Sequence, residues 1–268
     1  MKNNEIGSVI FKANHAWNDL YFDDFKQENS YQISWVEDAD RPYYNCIHVD
    51  KSLDAKQLHK AEDFFLDKSS PPRVYTHTAT DKVFIDQLKK EGYKELVEEQ
   101  EIWYRYEAQP DKQPINIAKF YKHDFSDISI QQIDTNSDAL EKFMALNKIQ
   151  NQIPDNLASK FTDKIRNSCR NSHLTLFCFA AFKKDEMLTI GAFSVVDGEV
   201  FCSEGATRSD YSRLGLNSMM LAYRINLAYE NKYRNIFVNC DKHAWSNHAC
   251  KKVGFNEVFT RHLWEKRS

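Results

Sequence analysis

Phe201-Cys-Ser-Glu-Gly-Ala-Thr-Arg-Ser-Asp-Tyr-Ser-Arg-Leu-Gly-Leu-Asn-Ser-Met-Met-Leu221 is the stretch that decides the fold. It opens as an apolar strand, Val200 to Thr207, and turns into a short polar loop. Beyond the loop Leu216, Met219, Met220, Tyr223 and Leu227 recur at helical spacing, so a helix from Leu216 to Tyr229 lays one face on a sheet. Its first amides have no partner inside the helix and carry the positive end of the helix dipole, which makes the loop an anion site. Gly215 is expected to let the backbone approach a phosphate closely, and a pyrophosphate suits the arrangement.

Upstream, the hairpin strands Leu174 to Phe182 and Leu188 to Val196 follow two helices, Leu140 to Ile149 and Leu157 to Asn167, and a strand near Ile128. Downstream come a strand at Ile236 to Asn239, a short helix ending near Lys252 and a strand from Glu257 to Trp264. The first part of the chain reads as a helix over Val9 to Phe25, then strands at Tyr31 to Val36 and Tyr44 to Val49. A helix at Ala55 to Leu66, a strand at Val74 to His77, a helix at Lys82 to Lys90 and one long strand from Tyr93 to Tyr106 complete it. Gln109-Pro-Asp-Lys-Gln-Pro114, dense in Pro and polar residues, marks a boundary, giving domains 1–110 and 111–268.

The two parts end alike. At a constant offset, Val74-Tyr-Thr-His lies over Ile236-Phe-Val-Asn, and Leu88-Lys-Lys-Glu-Gly-Tyr-Lys-Glu-Leu96 lies over Cys250-Lys-Lys-Val-Gly-Phe-Asn-Glu-Val258. A fixed register together with the same element order points to duplication of one α/β module. Charge divides unevenly: residues 1–110 hold 14 Lys+Arg against 21 Asp+Glu, and residues 111–268 hold 22 against 18. The mildly basic second part suits a phosphorylated small molecule, but no Lys/Arg stripe of the kind nucleic acid requires is present.

At the quoted stretch the sequence resembles the GNAT superfamily of acyl-CoA-dependent N-acyltransferases, whose signature is a strand, Arg/Gln-x-x-Gly-x-Gly/Ala, then a helix. In register it falls on Ser212-Arg213-Leu214-Gly215-Leu216-Asn217. The central Gly is kept, Ser212 and Asn217 depart from the pattern, and Arg213 is placed to supply the missing charge. The resemblance implies an α/β (α+β) fold of two GNAT-like domains, each a mixed, mostly antiparallel sheet flanked by helices. It also implies binding of acetyl-CoA or another acyl-CoA between the strand ending at Thr207 and that starting at Ile236, strands that splay apart. Ala206, Thr207 and Arg208 would bond the pantetheine arm, and Ser212, Arg213, Leu214, Gly215, Leu216, Asn217 and Ser218 would form the pyrophosphate loop and first helical turn. Counting back from Gly254, the family's Asn falls on His243, taken with the cofactor-binding residues, and its acid Tyr falls on Cys250.

The reaction so implied is direct attack of an amine on a thioester, with Glu204 as general base and Cys250 or Tyr211 as the acid for the leaving thiolate. The acceptor is a small-molecule or peptide amine. The first part has no Gly between Gly7 and Gly92, hence no close-approach loop, and is expected to bind no acyl-CoA. Two other functions stay open: a GNAT-like pair that binds or senses without turnover, and aminoacyl transfer from charged tRNA.

Cys240, His243, His248 and Cys250 are soft ligands within eleven residues, but on a helix the last two point apart, and no metal is expected. The cysteines at 46, 169, 178, 202, 240 and 250, several inside apolar runs, read as buried free thiols. The start of the chain lacks the pattern of a secretory signal and no stretch approaches a membrane span, so a cytoplasmic protein is expected.

Overall fold

Ile6, Val9, Ile10, Ala13, Ala16 and Leu20 line one buried face of the first helix, α1 (Ile6–Tyr21). The spacing of Trp17, Tyr21, Phe22 and Phe25 extends that periodicity, yet the helix stops at Tyr21. Phe22 turns extended, and the Asp23 amide donates to Trp35 O at 2.7 Å, drawing Asp24–Gln27 into a strand, β1. The computed structural model describes residues 5–39, 44–107, 114–168 and 175–266. Residues 109–113 of the expected boundary, Cys169 and Leu174 lie outside the described residues.

The chain forms two units. The first takes Met1–Trp103, Asp241–His243 and Val258–Ser268; the second takes Tyr104–Cys240 and Ala244–Glu257. In the first, β1 is followed by β2 (Tyr31–Trp35), β3 (Cys46–Val49), α2 (Ala55–Leu66), β4 (Arg73–His77), α3 (Lys82–Lys90) and β5 (Tyr93–Glu95). The expected single strand from Tyr93 to Tyr106 is broken by a 3₁₀ turn at Val97–Glu99, where the acidic run leaves the ladder, and resumes as β6 (Glu101–Glu107). The carboxy-terminal strand, β12 (Asn256–Lys266), runs from Val258 onward in this unit and pairs antiparallel with β4 and with β5. Strand order is β1-β2-β3-β4-β12, with β3 and β4 the parallel pair.

The second unit holds β7 (Ile128–Gln132), α4 (Asp138–Asn151), α5 (Asp155–Ser168), β8 (Thr175–Lys183), β9 (Glu186–Val196), β10 (Glu199–Thr207), α6 (Leu216–Glu230), β11 (Asn235–Asp241) and α7 (Ser246–Val253). Its order is β11-β10-β9-β8-β7, antiparallel except for β10 with β11. Antiparallel β2/β3 followed by parallel β3/β4 thus repeats as β9/β10 followed by β10/β11. Both copies close on a helix and a left-handed glycine, Gly92 (φ 87°) and Gly254 (φ 108°), which only glycine adopts without strain. Among the described residues no helix is long and apolar enough to cross a membrane.

In the first unit the junction after the parallel pair is closed by side chains. Asp54 caps α2 by accepting from the Gln57 amide at 2.8 Å, while the Gln57 side chain accepts from the Asp54 amide, a capping box that satisfies two of the amides at the helix start. His77, at the end of β4, donates from Nε2 to Asp50 O just past β3, and its Nδ1 accepts from the Ala79 amide at 3.2 Å. With one nitrogen committed as acceptor and the ring buried, burial first of all, the imidazole is held neutral, its pKa lowered to about 4 from 6.5. The unfolded chain binds this proton more readily, so the stability His77 lends is complete above pH 6.5 and disappears as pH falls toward about 4. Urea midpoints followed across that window should fall more steeply for the wild type than for His77→Gln; parallel curves would show that folding does not hold the ring neutral.

Candidate active site

Between β9 and β10 the register runs from Glu199↔Val196 to Ser203↔Ala192 and resumes at Ala206↔Ile190, so β10 carries one extra residue. Glu204 lies in that bulge at φ 53°, a left-handed conformation that a glutamate rarely adopts. On its other side β10 pairs with β11 from Glu199↔Asn235 to Cys202↔Val238, where the register ends. From Ser203 onward β10 therefore leaves the path of Asn239 and Cys240, and the expected splay is present.

The bulge is held from both faces of the sheet. On one, Asn147 of α4 donates from Nδ2 to Glu204 Oε2, and its own Oδ1 accepts from Asn151 Nδ2 at 2.5 Å. Asn147 is fully buried, so the amide is fixed by its surroundings. On the other, Arg224 of α6 donates from Nη1 to Ala192 O at 2.7 Å and to Ser203 O at 2.9 Å, the carbonyls of the last pair before the register break. A Cβ on Gly191 would come within 3.0 Å of the guanidinium, so that glycine makes room for it.

Past the bulge Ala206 is buried, and Thr207 Oγ1 lies 2.7 Å from Thr189 Oγ1. Arg208 is engaged by Asp210 at 2.6 Å and Glu186 at 3.3 Å, and its guanidinium lies 5.3 Å from the ring of half-buried Tyr211. Ser212 and Arg213 are exposed; Arg213 (φ 63°) rests its guanidinium 5.5 Å from the ring of Trp245, itself 80% exposed. Gly215 (φ 92°) is the N-cap of α6, and no side chain caps that end. Leu216 and Ser218 are buried, and Asn217 Oδ1 lies 3.7 Å from where Gly205 would carry a Cβ.

At Gly215 the chain itself already makes a close approach. A Cβ there would stand 1.8 Å from Phe120 O, so the close neighbour is the main chain of the segment before β7. That segment is tied to α6 by Asn226, which accepts from the Ile115 amide and donates to Ile115 O, both at 2.8 Å, and by the Lys122 amide, which donates to Leu214 O at 3.0 Å.

Cys250, expected as an acid, is 1% exposed, with Sγ 3.6 Å from Cys240 Sγ; the bond to Cys240 and burial push its thiol up, which weakens it as a proton donor. His243 belongs to the first unit, exposed and 3.8 Å from Glu98, while the rest of the candidate set belongs to the second. Sequence reasoning missed Asn147 and Arg224, and both left a trace. Leu140, Phe143, Met144 and Asn147 share one helical stripe, an amide at a core position; Arg224 is the single basic residue of α6.

No family model and no curated protein matches the sequence. Solved structures do match. A GCN5-related N-acetyltransferase from Kribbella flavida is similar at TM-score 0.67 and 10% identity over 98% of this chain and 95% of that one. A tandem GNAT protein from the clavulanic acid biosynthesis pathway is similar at TM-score 0.65 and 9% identity over 90% and 82%. A functionally unknown conserved protein from Staphylococcus epidermidis is similar at TM-score 0.63 and 14% identity over 94% and 98%. The fold is the mixed α/β fold of the GNAT acetyltransferases in its tandem form.

Because Phe120 O fills the space beside Gly215, Gly215→Ala should lower stability by more than about 1 kcal/mol with no ligand present. Equal unfolding midpoints for variant and wild type would mean that the loop and the Phe120 main chain part easily.

Proposed function

We propose that the second unit is an acyl-CoA-dependent N-acyltransferase, most simply an acetyltransferase. The observation that carries this is the coincidence, within one β-α connection, of the Glu204 bulge, the end of the β10/β11 ladder at Cys202/Val238 and an uncapped helix N-terminus. The backbone of Ala206, Thr207 and Arg208 would bond the pantetheine arm along the open edge of β10. The first-turn amides of Leu216, Asn217 and Ser218 would take the pyrophosphate, with exposed Arg213 as countercharge. Phe120 O lies where Gly215 would carry a Cβ, and no side chain caps the first-turn amides, which supports their assignment to an anion.

Bound acyl-CoA supplies an activated thioester carbonyl. Glu204 takes the proton of the attacking amine, directly or through water, and Asn147 fixes the carboxylate oxygen it bonds, so the base is aimed before the substrate arrives. Of the acids considered, Tyr211 remains, half-buried on the turn that follows β10. The first unit serves no acyl-CoA: its equivalent helix start is occupied by Asp54 and Gln57, and His77 bridges the ends of its parallel strands.

Calorimetric titration with acetyl-CoA should give saturable heat together with thermal stabilisation. Neither, at millimolar ligand, would remove acyl-CoA from the account. With an accepting amine found from a panel scored by thiol release, Glu204→Gln should lower kcat about 100-fold or more while acetyl-CoA affinity stays near the wild-type value. Undiminished turnover would eliminate Glu204 as base.

A further inference from the structure

Among the described residues two arginines, Arg261 and Arg224, are buried, and they are compensated differently. Arg261, in the first unit, is 2% exposed and pairs with Glu101 at 3.1 Å, while its Nη2 donates to His48 Nδ1 at 2.7 Å. Arg224, in the second, is 3% exposed and forms no ion pair among the described residues; its bonds are to two main-chain carbonyls, and its Nε is buried with no partner. Satisfying two carbonyls needs two N–H donors, which a neutral amide provides. The positive charge is surplus to that need, and an uncompensated buried charge costs stability.

Its place explains why it is kept. Nη2 lies 3.9 Å from where a Cβ on Gly205 would be, at the point where β10 leaves β11. Gly205 is exposed and stands one residue before the stretch assigned to the pantetheine arm. The titratable groups around the guanidinium are the thiols of Cys202 on β10 and of Cys240 and Cys250 behind it, with Glu204 beside the Ser203 carbonyl it holds. Burial raises the Cys202 thiol, and Arg224 opposes that rise; the same pull reaches Cys250, which occupies the sequence position expected for an acid. The guanidinium therefore lies beneath the point where β10 parts from β11, next to exposed Gly205.

We propose that Arg224 is a positioning charge beneath the splay, stabilising the departing sulfur as a thiolate so that the second unit needs no side-chain acid at position 250. This rests on the acyl-CoA reading above. In the transfer the C–N bond forms and the C–S bond breaks; the bonding pair leaves on sulfur, and the amine proton goes to Glu204.

The test is the ionisation of coenzyme A bound to the full-length protein, followed by the ultraviolet absorbance of its thiolate against a protein blank that removes the cysteines' own contribution. Bound to the wild type, the thiol should titrate about one pH unit or more below a free thiol. Arg224→Gln should return it to the free value or above, and Arg224→Lys, which keeps the charge, should restore most of the depression. Identical titrations in wild type and Arg224→Gln, with both binding coenzyme A, would overturn the proposal. Should the Gln variant not fold, the wild type decides alone: a bound thiol at or above the free value refutes it. Failure of coenzyme A to bind the wild type at all would remove the acyl-CoA reading and this inference together, whereas binding with an unshifted thiol removes only this inference.

Discussion

The extra residue in β10 is the constraint on which the second unit turns. A strand carrying one residue more than its partner must bend, and bending carries it away from one neighbour while it keeps the other. Here β10 keeps β9 and gives up β11 after Cys202, which opens an edge inside the sheet instead of at its margin. Left alone, such a defect would expose Ser203 O and Ala192 O within the core. Arg224 satisfies both, and Asn147 grips the glutamate that the bulge turns out of line. The defect, its two clamps and the helix that starts beyond it form one cooperative element.

The first unit shows what the same chain path looks like when that element is absent. Its β3 and β4 are parallel, and its α2 follows β3 as α6 follows β10. The helix start, however, carries its own acceptor in Asp54, and the strand ends are linked through His77. The Asp54, Gln57 and Leu58 amides of that helix start all have local partners. The copies differ less in topology than in whether their polar groups are spent internally.

Much of this was visible in the sequence. Helices α2 and α3 lie where the periodicity put them because their ends are local events: Asp54 and Gln57 three apart, and Gly92 after Lys90. The duplication showed because the closing helix, glycine and strand keep the same register in both copies. What failed was decided over distance. The end of α1 is set by a bond from Asp23 to Trp35, which outweighs the continuing aromatic spacing of Phe22 and Phe25. Gly215 was correctly singled out as a close-approach glycine, but nothing local could say that a carbonyl more than ninety residues upstream would fill the space. Cys250 stood at the right alignment position for an acid, and only packing against Cys240 shows that it faces inward.

The strap from Ile115 to Lys122 is bonded to the start of α6. Its Lys122 amide and Leu214 carbonyl form a single bond between the strap and the loop that starts α6, with Phe120 O wedged against the glycine beside it. An amide so placed exchanges its hydrogen with solvent only when strap and loop separate, which makes Lys122 a built-in clock for the breathing of the helix's leading turn.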